Sequence, residues 1–309
     1  MILTVTLNPA VDKTIKISDL KIGEVNRIDF SRVDAGGKGI NVSKTIKQLG
    51  GKSTALGFIG GSNGEFIREH LDSSEIENDF VRIPGETRLN TKIVDIVNNT
   101  YTDINENGPQ ISKEELTKIR EKISSYMKDG NLIVLSGSLP KGINEDFYKE
   151  IILEANEKKC RVILDVDGKK FTEAIKAGPY LIKPNIHELE KAFQVSIESE
   201  QELIDVAKEI LEYGVEYVVV SRGHEGSIMI SKDKVIKAKG IKVKVGSTVG
   251  AGDSMVGALA LSIEQGQSME EALRLAAATG TANVTTEGTQ SPDISLINKY
   301  LEQIELLYL

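Results

Sequence analysis

The chain has 309 residues, 40% of them hydrophobic, enough to bury a core as one large α/β domain or as two ordinary ones. Its formal net charge of -8 argues against a nucleic-acid surface or an anionic membrane as partner, so an anionic ligand needs a local basic pocket working against the overall field. No apolar run approaches the ~18 to 20 residues of a membrane-spanning helix, and the N-terminus lacks the segments of a secretory signal. The lone Cys160 allows no disulfide framework and fits a reducing cytoplasm.

In chain order, the apolar, β-branched run at 2 to 7 reads as the first strand. Residues 14 to 33 show short strand signals around a polar turn at Gly23, with no helix between them. The segment 34 to 51 sets three glycines and a lysine before an apolar-periodic helix marked by Ile40, Val42, Ile46 and Leu49. A strand follows at 54 to 60, and residues 90 to 105 repeat the short-strand pattern around Asn98 and Asn99. The two irregular segments fit a small β layer projecting from the main sheet, or else edge strands within it. Further strands are expected at 132 to 137, 161 to 166, 180 to 184 and 217 to 221. Helix starts are marked by Ser112 with Glu115, Ser199 with Glu202 and Ser268 with Glu271, the spacing at which two side chains satisfy first-turn amides reciprocally. Strand then helix, repeated without a linker or internal repeat, predicts one α/β domain: a mostly parallel central sheet flanked by helices on both faces.

Two loops carry chemical promise. Glycines at 36, 37 and 39 let backbone amides approach an oxyanion, and a helix start adds positive potential. The later stretch TVGAGDSMVGAL, 248 to 259, opens a helix that is apolar or small on nearly every face, hence buried. Its first amides, bared by Gly250, Ala251 and Gly252, then need a partner other than water, and a transferring phosphoryl group fits. Asp253 beside them is either the proton acceptor for an attacking hydroxyl or simply an N-cap, and the residues alone leave both readings open. Neither loop is a Walker A or a dinucleotide motif: Ile46 stands five before Gly51 where the first glycine belongs, and Met255 replaces the third glycine after Gly250. His187 and His224 lack zinc-binding spacing.

AGGKGIN at 35 to 41, SGSLP at 136 to 140, KPNIHE at 183 to 188, SRGHEG at 221 to 226 and TVGAGDSMVGAL occur in this order over the full length. Together they resemble the ribokinase-like (PfkB) carbohydrate kinase family. TLNPAVDKT at 6 to 14, GEVNR at 23 to 27, GETRLNTKI at 85 to 93 and TDINENGP at 102 to 109 resemble its sugar-phosphate branch. The resemblance implies a ribokinase-like domain over 1 to 309 with a β lid near 11 to 34 and 87 to 106, shared across a homodimer. It implies ATP and Mg²⁺ as cosubstrates and a small sugar phosphate as partner, with transfer to the 6-hydroxyl of D-fructose 1-phosphate. Tagatose 6-phosphate or fructose 6-phosphate is the alternative substrate, and a non-catalytic sugar-phosphate sensor the alternative of another class.

The same resemblance assigns roles. Asp253 is the base, with Gly250, Ala251 and Gly252 supplying the anion cradle. Asp12, Asn41 and Ser138 meet sugar hydroxyls, beside Gly37. Arg27, Lys38 and Arg88 grip the substrate phosphate, Arg through a planar fork and Lys as a point charge. Lys183, Asn185, Ser221, Gly223 and Gly226 face the nucleotide phosphates, and Asn283 lies near the adenine. Asn185 and Glu188 organise Mg²⁺, through water because that ion sheds its hydration reluctantly.

Overall fold

The structure, a computed structural model, describes residues 1–286 and 291–309. In chain order the elements are β1 (Ile2–Thr6), β2 (Ala10–Ile17), β3 (Phe30–Gly36), α1 (Lys38–Gln48), β4 (Ser53–Ile59), α2 (Gly61–Ser73), β5 (Glu77–Asn78), β6 (Val81–Arg82), β7 (Arg88–Asp95) and β8 (Thr100–Asn105). There follow α3 (Lys113–Tyr126), β9 (Leu132–Ser136), α4 (Phe147–Glu157), β10 (Arg161–Asp165), α5 (Gly168–Ala174), β11 (Leu181–Ile182), α6 (Ile186–Phe193), α7 (Glu200–Leu211) and β12 (Tyr217–Ser221). The last are β13 (Gly226–Ile230), β14 (Val235–Lys239), α8 (Ala251–Glu264), α9 (Met269–Val284), α10 (Ile294–Leu301) and β15 (Leu306–Tyr308).

The large sheet runs β15-β14-β13-β12-β11-β10-β9-β1-β4-β5, parallel from β12 through to β5 and antiparallel from β12 outward to β15. Its strands are apolar on both faces because helices cover both. Leu3, Val5, Ile133, Leu135, Val162 and Leu164 pack toward α3, α4 and α7, while the intervening Ile2, Leu132, Val134 and Ile163 pack toward α1, α8 and α9. The chain winds from β1 outward to β4, then resumes on the other side of β1 at β9. Such a reversal opens a crevice at the carboxyl ends of the strands, where ligands of open α/β sheets bind.

Residues 14 to 33 and 90 to 105 do not extend the main sheet. They contribute to a separate four-stranded sheet of order β3-β2-β7-β8, which rules out the edge-strand reading. Val11 and Ala35 anchor it on Ile67 and Leu71 of α2. The strand expected at 180 to 184 is only Leu181–Ile182, since Pro184 has no N–H to donate to a ladder. All three serine capping boxes form at α3, α7 and α9.

Candidate functional site

Two clefts open at the carboxyl edge of the sheet. The larger, about 680 Å³, lies over the ends of β10, β11 and β12 and the start of α8. The smaller, about 300 Å³, lies between α1 and the small sheet. Lys38, Gly250 and Asp253 line both.

The shared wall follows from local sequence. Gly250 adopts φ 84, left-handed backbone that favours glycine, and so turns the chain sharply into α8. No side chain caps that helix, and the amides of Ala251, Gly252 and Asp253 have no hydrogen-bond partner among the described residues. Asp253 is therefore no N-cap: it stands in the first turn, and its Oδ2 accepts from Asn41 Nδ2 at 2.8 Å. Its side chain is buried, and burial first, then repulsion by Asp165, pushes its carboxyl up to about 6, against the attraction of Lys38, the Asn41 bond and Lys183.

Asp165, at the last position of β10, holds two lysines at once. Lys38 Nζ lies 3.3 Å from its Oδ2 and Lys183 Nζ lies 3.4 Å from its Oδ1. Burial disfavours the Asp165 charge, but Lys183 and Lys38 together outweigh that and keep its carboxyl below the ordinary value. For Lys38 burial likewise opposes the charge, and Asp165, Asp253, Glu188 and Asp167 outweigh it and raise the ammonium. Two cations thus stand near the uncapped helix start within an acidic protein. Asp165 stands in no motif of its own, and its only signal in the sequence is a carboxylate ending the apolar run 161 to 165.

In the smaller cleft Asp12, Gly37, Lys38, Asn41 and Arg88 come together as expected, with Asn90 besides. Arg88 donates through Nε and Nη2 to the Asn8 carbonyl and through Nη1 to the Glu106 carbonyl, at 3.0 to 3.2 Å. Three of a guanidinium's five N–H groups are thereby fixed, and the rest are available to an anion. Burial raises the Asp12 carboxyl, opposed by the Asn90 bond and by Lys44 and Arg88. Two expected residues are not among the lining. Ser138 accepts from Asn8 Nδ2 at 3.1 Å, and Arg27 is exposed on the β2–β3 connection.

In the larger cleft Lys183, Asn185, Glu188, Ser221, Gly223, His224 and Gly226 line one end. Ile241, Val243, Val245, Ala277 and Val284 give the other an apolar lining, as a heteroaromatic base requires. Asn185 and Glu188 form a capping box at α6: Asn185 Oδ1 accepts from the Glu188 amide and Glu188 Oε2 from the Asn185 amide, both at 2.8 Å. Asn283 is buried within α9 and does not line the cleft, whereas its neighbours Gly280, Thr281 and Val284 do. Among the described residues no cluster of three or more His, Cys, Asp or Glu is placed to hold a metal, and no helix is long and apolar enough to cross a membrane.

A helix start open to an anion, a buried acid beside it and a cleft on either side define a two-substrate group-transfer site. Residues 5–295 match the model of the pfkB family carbohydrate kinases, and the chain belongs to that family. It is a sugar-phosphate kinase of that family. It is 40% identical over 283 residues to 1-phosphofructokinase of Borreliella burgdorferi, covering 91% of each chain. It is also 36% identical over 312 residues to D-tagatose-1-phosphate kinase of Bacillus licheniformis, covering 100% of each. Among solved structures it superposes on phosphofructokinase-2 of Escherichia coli with a TM-score of 0.93 at 29% identity, covering 98% of each chain.

Proposed function

We propose that the chain transfers the γ-phosphoryl group of ATP to the 6-hydroxyl of D-fructose 1-phosphate, giving fructose 1,6-bisphosphate and ADP. The observation that carries this reading is Asp253, buried on the wall common to both clefts beside unpartnered helix amides. In the proposed step Asp253 takes the proton as the sugar oxygen bonds to phosphorus and the bond to the ADP oxygen breaks. The amides of Ala251, Gly252 and Asp253, with Lys38, hold the charge on the moving group, which is most of what phosphoryl transfer asks of a protein.

The larger cleft suits ATP, with its apolar end for the base and Lys183, Ser221, Gly223 and Gly226 toward the phosphates. Mg²⁺, when bound, neutralises the polyphosphate; Glu188 and Asn185 are the residues that would hold its water shell. Arg88 grips the sugar's phosphate, while Lys38, paired with Asp165 beside Asp253, stands at the transfer end. Arg27 joins Arg88 only where a second copy or a closing sheet carries it in. The small sheet serves as the lid of a single ribokinase-like domain and keeps water from the γ-phosphate. The small sheet and its connections also expose Ile22, Val25, Phe30, Val97, Tyr101 and Ile104, apolar side chains suited to packing on the lid of a second copy in a cytoplasmic homodimer.

The experiment that tests this compares kcat/KM on fructose 1-phosphate, fructose 6-phosphate, tagatose 6-phosphate and tagatose 1-phosphate. The last is included because the Bacillus licheniformis relative carries that name at 36% identity. Preference for fructose 1-phosphate supports the reading, and preference for another of the four replaces the substrate. Binding without ADP release would make the protein a sensor.

A further inference from the structure

Two amide–carboxylate pairs stand in the smaller cleft. Asn41 Nδ2 donates to Asp253 Oδ2 at 2.8 Å, and Asn90 Nδ2 donates to Asp12 Oδ1 at 3.0 Å. A carboxylate only accepts, so each amide turns its NH₂ toward its acid and its oxygen elsewhere. In both residues that oxygen is buried and has no hydrogen-bond partner among the described residues. Buried carbonyl oxygens are costly to leave without a donor, and a site built to hydrogen-bond a hydroxyl rejects an analogue lacking it.

Asn90 owes its place to strand register. β7 runs parallel to β2 with Asn90 opposite Asp12, and both line the cleft with Arg88. Asp12 Oδ2 lies over Gly36, where an added Cβ would come within 1.9 Å, so the acid is held between a neighbouring amide and bare backbone. Asp12 and Asn90, neighbours on the cleft wall, thus set a carboxylate beside a buried amide oxygen that has no donor among the described residues. A polyol offers matching donors on neighbouring carbons, and epimers differ in where those donors point.

We propose that Asn90 is a sugar-specificity residue: its Oδ1 accepts from a secondary hydroxyl next to the one that Asp12 accepts, so the pair reads the configuration of two neighbouring hydroxyls. This rests on the sugar-phosphate reading above and adds to it the side chain that distinguishes one ketose from its epimer.

The test is a cycle between enzyme and substrate. The parent is whichever of fructose 1-phosphate, tagatose 1-phosphate, fructose 6-phosphate and tagatose 6-phosphate the unmodified chain turns over fastest, so an error about the parent sugar shows in the unmodified chain alone. Analogues lacking one secondary hydroxyl are then compared with that parent in the unmodified chain and in Asn90→Ala. The unmodified chain should discriminate against one analogue by about ten- to hundredfold in kcat/KM. In Asn90→Ala that ratio should collapse to within about threefold of unity while the KM for ATP stays unchanged. An Asn90→Ala enzyme that is uniformly slower yet keeps the full ratio for every analogue would reduce Asn90 to a prop for Asp12 and overturn the assignment. Should Asn90→Ala fail to fold, Asn90→Leu, close to asparagine in size and without an acceptor, carries the same cycle: a collapsed ratio supports the assignment and a retained one overturns it. No turnover of any of the four parents would sink the substrate reading and this inference with it.

Discussion

At the scale of single residues, Asp253 bears two opposed demands. Its carboxyl sits at about 6 rather than the ordinary 3.8, because burial and Asp165 disfavour the charge. As the proposed base it must be unprotonated, so turnover should rise with pH through about 6. Between 3.8 and about 6 the folded chain holds this proton more tightly than the unfolded chain. The group's contribution to stability therefore falls as pH rises across that window. Asp253→Asn should accordingly lose about 10² to 10⁴ in kcat, keep ATP binding and unfold at a higher temperature at neutral pH. Asp165→Asn removes the repelling charge, so the acid limb of its kcat/KM profile should move to lower pH. A limb left in place would detach Asp165 from the base. The place of Asp253 in the first turn of a buried helix was legible in the sequence because its motif is contiguous. Asp165 was not, because its role depends on three separate segments meeting at one sheet edge.

At the scale of elements, the start of α6 shows one sequence signal with two readings. The motif at Asn185 and Glu188 suggests magnesium, yet their side chains close the same reciprocal cap as the three serine boxes. The two roles separate by substitution. Gln at the fourth position keeps a capping box, so Glu188→Gln should leave the melting temperature nearly unchanged while raising the Mg²⁺ concentration for half-maximal rate several-fold. Asn185→Ala should cost about 1 kcal/mol in denaturant unfolding. If Glu188→Gln shows a normal Mg²⁺ requirement, the pair is structural only. The strands were readable from short β-branched runs because both faces of the sheet are covered. Asn90 was not readable, because its partner, Asp12, is joined to it only by cross-strand register, which periodicity within one strand does not encode.

At the scale of the whole molecule, the separation of the small sheet from the large one was foreseeable, since neither 14 to 33 nor 90 to 105 carries a helix to return the chain across a parallel sheet. Which face of it would meet a second copy was not, since exposed apolar residues occur on the connections as well as on the strands. Placing Asp at Val25 and Tyr101 together should convert a dimer to a monomer in sedimentation and raise the KM for the sugar phosphate more than that for ATP. Unchanged sedimentation would remove the small sheet from any self-association.

The wall made of Lys38, Gly250 and Asp253 means that ligands in the two clefts would meet three residues in common. Whatever arrives first resets the field and mobility of groups the second must meet, and thermodynamic reciprocity then fixes one factor for both orders of arrival. Calorimetric titration of a non-hydrolysable nucleotide, with and without saturating sugar phosphate, should give dissociation constants that differ. Identical values would mean two independent compartments that merely happen to adjoin.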